Sequence, residues 1–237
     1  MTHKVVFAYL LCTASGTLRL VHRPLAVFAA CCALVAIARA QSAGSPVQAA
    51  PPSVPDPKAH YLFYLHGAII EEAGRRAQHP RFGVYEYDAV LQALQAGGAI
   101  VISELRASGT NIDSYAQKIC AQVSKLIEHG VVASHIAIVG FSKGGFIAQR
   151  VSAQLNHPEL RYVLLGACPG SAQATPRMHG RVLAITERSD SVPSCRRLFA
   201  RSQLDCAREI QIAIGGEHGA FYRPNPAWMQ PVLDFVR

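Results

Sequence analysis

The chain has 237 residues, 50% of them hydrophobic and 16% charged, with a formal charge of +8. That length and balance fit one globular domain and exclude an intrinsically disordered chain. Much of the charge sits in residues 1–40, which hold Lys4, Arg19, Arg23 and Arg39 and no acidic residue; without them 19 basic residues face 15 acidic ones, a balance of +4.

Residues 1–40 have the composition of an export leader. The apolar run "PLAVFAACCALVAIA" (24–38) follows the basic "RLVHR" and ends in "ARA", a small-x-small cleavage signature, so cleavage is expected after Ala40. The run is shorter than the roughly 20 residues a membrane-spanning helix needs, so no stable membrane insertion is expected once it is cut. A lipid attachment signal through "FAAC", ending at Cys31, is the weaker alternative, because Phe28 stands where such signals usually carry leucine. The stretch before Arg23 is long for a leader, and translation beginning near Val21 would leave a compact one. The expected location is exported, periplasmic or secreted. Residues 41–58, "QSAGSPVQAAPPSVPDPK", have no periodic apolar face and read as a flexible linker ahead of a domain at 59–237.

Within that domain, β-rich runs alternate with helical periodicity, the pattern of a parallel sheet covered on both faces. The expected strands are "YLFYL" (61–65), "AIVISEL" (99–105), "HIAIVG" (135–140), "RYVLLG" (161–166), "RVLAIT" (181–186) and "EIQIAI" (209–214). Each is apolar almost throughout, as a strand buried on both faces should be. The expected helices are "YDAVLQALQAG", "DSYAQKICAQVSKLIEHG", "GGFIAQRVSAQLN" and "AWMQPVLDFV", the last interrupted by Pro231. The fold class is therefore α/β, a mostly parallel sheet of about six strands.

"IAIVGFSKGGFIAQ" (137–150) places Ser142 where a strand ends and a helix begins. Gly140 and Gly144 lack the Cβ atoms that would clash in so sharp an elbow. The helix that follows aims its free N–H groups at any negative charge developing beside the serine. A serine hydroxyl is a weak nucleophile without a base, and the base needs a third group to orient it. Asp190, in "AITERSDSVP", and His218, in "AIGGEHGAFY", each follow a strand. All three residues thus fall at one edge of the sheet, where open α/β sheets place their sites. Glu187, at the strand end itself, is the alternative acid.

With "GFSKG", the "LHG" of 65–67, "SDSVP" and "GEHG", the stretch from about residue 60 to 237 resembles the α/β-hydrolase superfamily. The resemblance implies Ser142 as nucleophile, His218 as general base and then acid, and Asp190 as its orienting partner. It implies an oxyanion hole from the backbone N–H groups of Lys143 and Ala68. The implied reaction is hydrolysis of a carboxylic ester, a small molecule, through an acyl-enzyme. A thioesterase, a peptidase, or a non-catalytic binding protein on the same fold remain alternatives. Against fuller members of the superfamily the chain reads as a minimal form, without the first hairpin and without a lid between Gly166 and Arg181.

Other residues have plainer readings. Glu71, Glu72, Arg75 and Arg76 read as an exposed charge run, with a role in substrate access as the alternative beside the oxyanion loop; Lys143 reads as a solvated side chain, with steering of an anionic substrate as the alternative; His66, His129 and His157 read as loop histidines, and "RFGVYEYD" (81–88) as packing rather than a substrate shelf. No Cys or His cluster has metal-ligand spacing and no phosphate-binding glycine loop precedes a helix, so no metal and no cofactor are expected. No basic stripe with interleaved aromatics suggests nucleic acid. Four cysteines remain beyond the leader: Cys120, Cys168, Cys195 and Cys206. Cys168 and Cys195 both follow ends of neighbouring strands and are the preferred disulfide. Cys206 is expected at the far end of a helix that begins near Cys195.

Overall fold

The computed structural model describes residues 9–11, 47–170 and 176–237. The expected leader, apart from 9–11, and with it the cleavage site and the start near Val21, lies outside the described residues, as does part of the stretch expected to lack a lid (171–175). In chain order the elements are β1 (Tyr9–Leu11), β2 (Tyr61–Leu65), α1 (Ala68–Ala73), β3 (Gln78–His79), β4 (Gly83–Val84), α2 (Tyr87–Gln95), β5 (Ile100–Ile102), α3 (Ile112–Glu128) and β6 (Ile136–Phe141). They continue with α4 (Lys143–Leu155), β7 (Arg161–Leu165), β8 (His179–Glu187), α5 (Arg196–Ala200), β9 (Gln203–Ile212) and α6 (Pro226–Val236). The sheet runs β1-β9-β8-β7-β6-β2-β5. The six strands from β9 to β5 are parallel, and β1 lies antiparallel on the outer side of β9.

Alternation along each strand divides the core between the two faces of the sheet. Leu62 and Tyr64 of β2, with Ala137, Val139 and Phe141 of β6, pack with Val90, Leu91 and Leu94 of α2 and with Trp228 and Val232 of α6. Tyr61, Phe63 and Leu65, with Ile136 and Ile138, pack with Ile119, Val123 and Leu126 of α3 and with Ile147, Ala148 and Val151 of α4. Burying a side chain of this size contributes about 1.5–3 kcal/mol. Both faces are covered, which is why the central strands show no polar alternation. Local chemistry sets the helix starts. Asn111 accepts from the Ser114 N–H at 3.0 Å ahead of α3, and Asn225 accepts from the Ala227 N–H at 2.9 Å ahead of α6. Pro231 lies inside α6 without ending it.

Three expectations need correction. β9 begins at Gln203, not 209, so Cys206 lies in a strand opposite Arg181 and α5 is only 5 residues long. The pattern there has period two: Cys206, Ile210 and Ile212 are buried while Gln203, Asp205 and Gln211 are exposed. A search for unbroken apolar runs passes over such a half-exposed strand. Secondly, part of the expected flexible linker is held by the sheet. Gln48 forms a parallel bridge with Ile102; its N–H donates to Val101 O at 3.1 Å and its carbonyl accepts from the Ser103 N–H at 2.8 Å. The edge of β5 offers backbone groups that need partners, and this segment supplies them. Thirdly, α1 and the β3–β4 hairpin stand where no element was expected. The preferred disulfide, Cys168 to Cys195, is present, with Cα atoms 4.8 Å apart.

Candidate active site

β6 ends at Phe141, and the chain reverses through Ser142 with φ 52° and ψ −119°. A non-glycine residue in that region carries roughly 1–3 kcal/mol of strain, which the surroundings must hold in place. They do so with backbone bonds. The Ser142 N–H donates to Leu165 O at 3.0 Å, and its carbonyl accepts from Gly145 and Phe146 N–H at 2.9 and 3.2 Å, starting α4. The glycines are required by close approach. A Cβ on Gly140 would lie 2.3 Å from Gly144 O, and one on Gly144 would lie 1.9 Å from Leu65 O.

Asp190 and His218 arrive from the loops after β8 and β9. The His218 Nδ1–H donates to Asp190 Oδ2 at 2.7 Å, which leaves Nε2 as the nitrogen able to accept a proton. The His218 ring lies 4.9 Å from that of Phe141, centroid to centroid. A Cβ on Gly166 would come within 3.3 Å of the same imidazole, and Gly166 follows Leu165, whose carbonyl receives the Ser142 N–H. Ser142 and His218 therefore both lie at the end of β7, with Asp190 bonded to the imidazole.

Glu187, the alternative acid, bonds elsewhere. It is buried, and its carboxylate receives the Ser189 N–H, the Ser189 hydroxyl and, at 3.2 Å, the Gly215 N–H. Burial pushes its pKa up, but the bonds from Ser189, Gly215 and Arg188 outweigh it and hold the group below the usual carboxylate range. It ties the Asp190 loop to the His218 loop; it does not bond the imidazole. The Ser189 hydroxyl also accepts from the Glu217 N–H at 3.2 Å, a second tie between the same loops.

On the other side of Ser142 lies the loop after β2. A Cβ on Gly67 would sit 3.5 Å from Ser142 Cβ. Ala68 is the first residue of α1 and Lys143 the first of α4, positions whose N–H groups have no acceptor within their own helix. His66 is fully buried. Its Nδ1–H donates to Gly67 O at 2.9 Å, and its Nε2 accepts from the Arg106 N–H at 3.1 Å, which fixes one neutral tautomer. Burial first, then the Arg106 guanidinium, pulls its pKa down to about 4. His66 thus braces its loop.

The charge run does not behave as one. Glu72, Arg75 and Arg76 are exposed, but Glu71 is buried and forms ion pairs with Arg106 and Lys143. Lys143 is accordingly a partner of Glu71, not a solvated side chain. From sequence Glu71 had only an open role in substrate access as part of that run, and Arg106 was not a candidate. A weak signal existed for Glu71: in α1 only one of two adjacent glutamates can share the inward side with Ile70. Of "RFGVYEYD", Tyr85 and Tyr87 are core residues as expected, whereas Arg81 and Phe82 line a cleft of about 570 Å³ beside Asp190 and His218, facing Ser191, Val192 and Glu217. An Arg81–Glu217 ion pair joins the β3–β4 hairpin to the His218 loop. No helix among the described residues is long and apolar enough to cross a membrane.

No protein-family model matches the sequence, and no curated protein matches it. Solved structures do. One described under two metagenome-derived lipolytic enzymes, LipS and LipT, is 12% identical with a TM-score of 0.54, covering 81% of this chain and 99% of its own. SOBER1 of Arabidopsis thaliana is 7% identical with a TM-score of 0.53, covering 75% and 97%. The 2-hydroxy-6-oxo-6-phenylhexa-2,4-dienoate hydrolase of Rhodococcus sp. strain RHA1 is 14% identical with a TM-score of 0.52, covering 77% and 92%. With its parallel sheet, its strained elbow after β6 and its loops converging at one edge, the chain has the α/β-hydrolase fold.

Proposed function

We propose that the protein is a serine hydrolase that cleaves a carboxylic ester through an acyl-enzyme. The observation that carries this reading is the 2.7 Å bond from His218 to Asp190, set against a serine held in a strained elbow. In the first step Ser142 Oγ bonds to the ester carbonyl carbon while its proton passes to His218 Nε2, and the carbonyl oxygen becomes an oxyanion. The Lys143 and Ala68 N–H groups receive that oxyanion. Asp190 stabilises the imidazolium and keeps its ring in the productive tautomer. Collapse of the intermediate breaks the bond to the leaving alcohol, which takes the proton from His218. Water then bonds through its oxygen to the acyl carbon as it gives a proton to the same nitrogen, and collapse breaks the bond to Ser142 Oγ, which takes that proton back, releasing the acid and the free serine.

The cleft beside His218 mixes Phe82 and Val192 with Ser191 and the Arg81–Glu217 pair, a lining suited to a short or polar ester. The lipolytic and hydrolytic names of the structural neighbours support the same class. The leader's composition and the Cys168–Cys195 disulfide support export to an oxidising compartment.

A fluorophosphonate probe tests the reading. Labelling of the folded protein that is lost in Ser142→Ala, together with turnover of short p-nitrophenyl esters above matched thioesters and peptides, is the expected result. A folded wild-type protein that takes no label would make it a binding protein on a hydrolase scaffold.

A further inference from the structure

Glu71 is a buried carboxylate that answers two cations, and both lead to the proposed oxyanion hole. Its side chain is 2% exposed, that of Arg106 is 0% and that of Lys143 is 21%. Oε1 receives Arg106 Nε at 2.7 Å and Oε2 receives Lys143 Nζ. Arg106 goes on to donate through Nη2 to His66 O and through its backbone N–H to His66 Nε2, while His66 donates to Gly67 O. One oxygen of Glu71 thus reaches the 66–67 turn that precedes Ala68. The other reaches the residue whose backbone N–H is the second donor. Glu71 itself belongs to α1, the helix that Ala68 begins.

A buried carboxylate needs one cation to offset its desolvation. Here the second cation comes from the helix that follows the serine, so the pair spans the gap between the two donors. Two cations and one anion also leave one net positive charge under the loop that meets the developing negative oxygen, since His66 is held neutral by its two bonds. Oxyanion stabilisation depends on donors fixed before the reaction, and small displacements of such groups cost large factors in rate.

We propose that Glu71 is a positioning residue that fixes the Ala68 and Lys143 N–H groups relative to one another; the inference rests on the hydrolase reading above. Replacing the carboxylate with an amide, Glu71→Gln, leaves two cations without their anion, and the donors separate. The expected result is a fall in kcat of roughly 10- to 100-fold per fluorophosphonate-titrated site, with KM within about threefold of wild type. A purely structural role would lower the number of titrated sites and leave kcat per site unchanged.

Should Glu71→Gln not fold, the double variant Glu71→Met with Arg106→Met removes the fully buried pair together, a change that buried pairs often tolerate, and leaves as the remaining cation Lys143, whose side chain is 21% exposed; the same loss in kcat is expected of it. Amide hydrogen exchange at Ile70 and Gly145, whose N–H groups bond Gly67 O and Ser142 O in the turns that carry the two donors, needs no substrate and should quicken in either variant. A kcat per site within about threefold of wild type, or unchanged exchange at both amides, overturns the proposal. Wild-type protein that neither labels nor turns over ester counts against the hydrolase reading alone, and the exchange measurement still decides whether Glu71 holds the two turns.

Discussion

His66 makes the stability of the fold depend on pH in a way that can be worked out from its bonds. The folded protein holds the ring neutral, with a pKa of about 4 against an ordinary value of 6.5. Between those values the unfolded chain binds a proton that the folded chain does not, so stability is complete above pH 6.5 and is lost as pH falls toward 4. A separation of about 2.5 pH units corresponds to about 3 kcal/mol, levelling off below the folded pKa. The charged groups facing the ring are Arg106, which opposes protonation, and Glu71, which favours it less strongly. His66→Asn keeps a donor for Gly67 O but cannot titrate. Urea unfolding of both proteins from about pH 7 to about pH 4 should show wild type losing about 3 kcal/mol more than the variant. His60, whose pKa is lowered by burial, then by His135 and Arg161, contributes equally to both and cancels. Parallel pH profiles for the two proteins would refute the reasoning, because they would mean that the ring is free to protonate in place.

Asp190→Asn should lower kcat by about 10⁴-fold without unfolding the chain, because an amide facing His218 Nδ1 favours the wrong tautomer; stopped assays with a p-nitrophenyl ester measure this, and Glu187→Gln should not reproduce a loss of that size. Reducing the Cys168–Cys195 disulfide, which closes a loop with a sequence separation of 27, should cost about 3–4 kcal/mol by chain entropy. Thermal unfolding of wild type against a Cys168→Ser, Cys195→Ser double variant reads that cost, and non-reducing peptide mapping should recover the two cysteines in one crosslinked pair.

Much of the architecture was legible because buried parallel strands and amphipathic helices carry strong local patterns. "YLFYL" and "RYVLLG" match β2 and β7 to within a residue, and the Ser142 elbow follows from two glycines whose Cβ atoms would meet backbone. Asp190 and His218 were legible as loop residues at strand ends, and the sheet places them side by side. What was hidden has a common cause. β9 mixes inward apolar residues with outward polar ones, so its pattern is diluted. Glu71, Arg106 and Lys143 are charged residues whose burial depends on one another, and no single position signals this. Glu187 looks like an acid at a strand end, and only the partners it meets in three dimensions separate it from Asp190.

The bridge at Gln48 has a consequence for how the molecule meets others in solution. The border strand of an open sheet is a template on which a second molecule can extend the ladder, and β5 is such a border. By laying its own backbone along Val101 and Ser103, the proline-rich approach segment occupies that template in cis. Its sequence can therefore vary widely in side chains while still guarding the protein against edge-to-edge association.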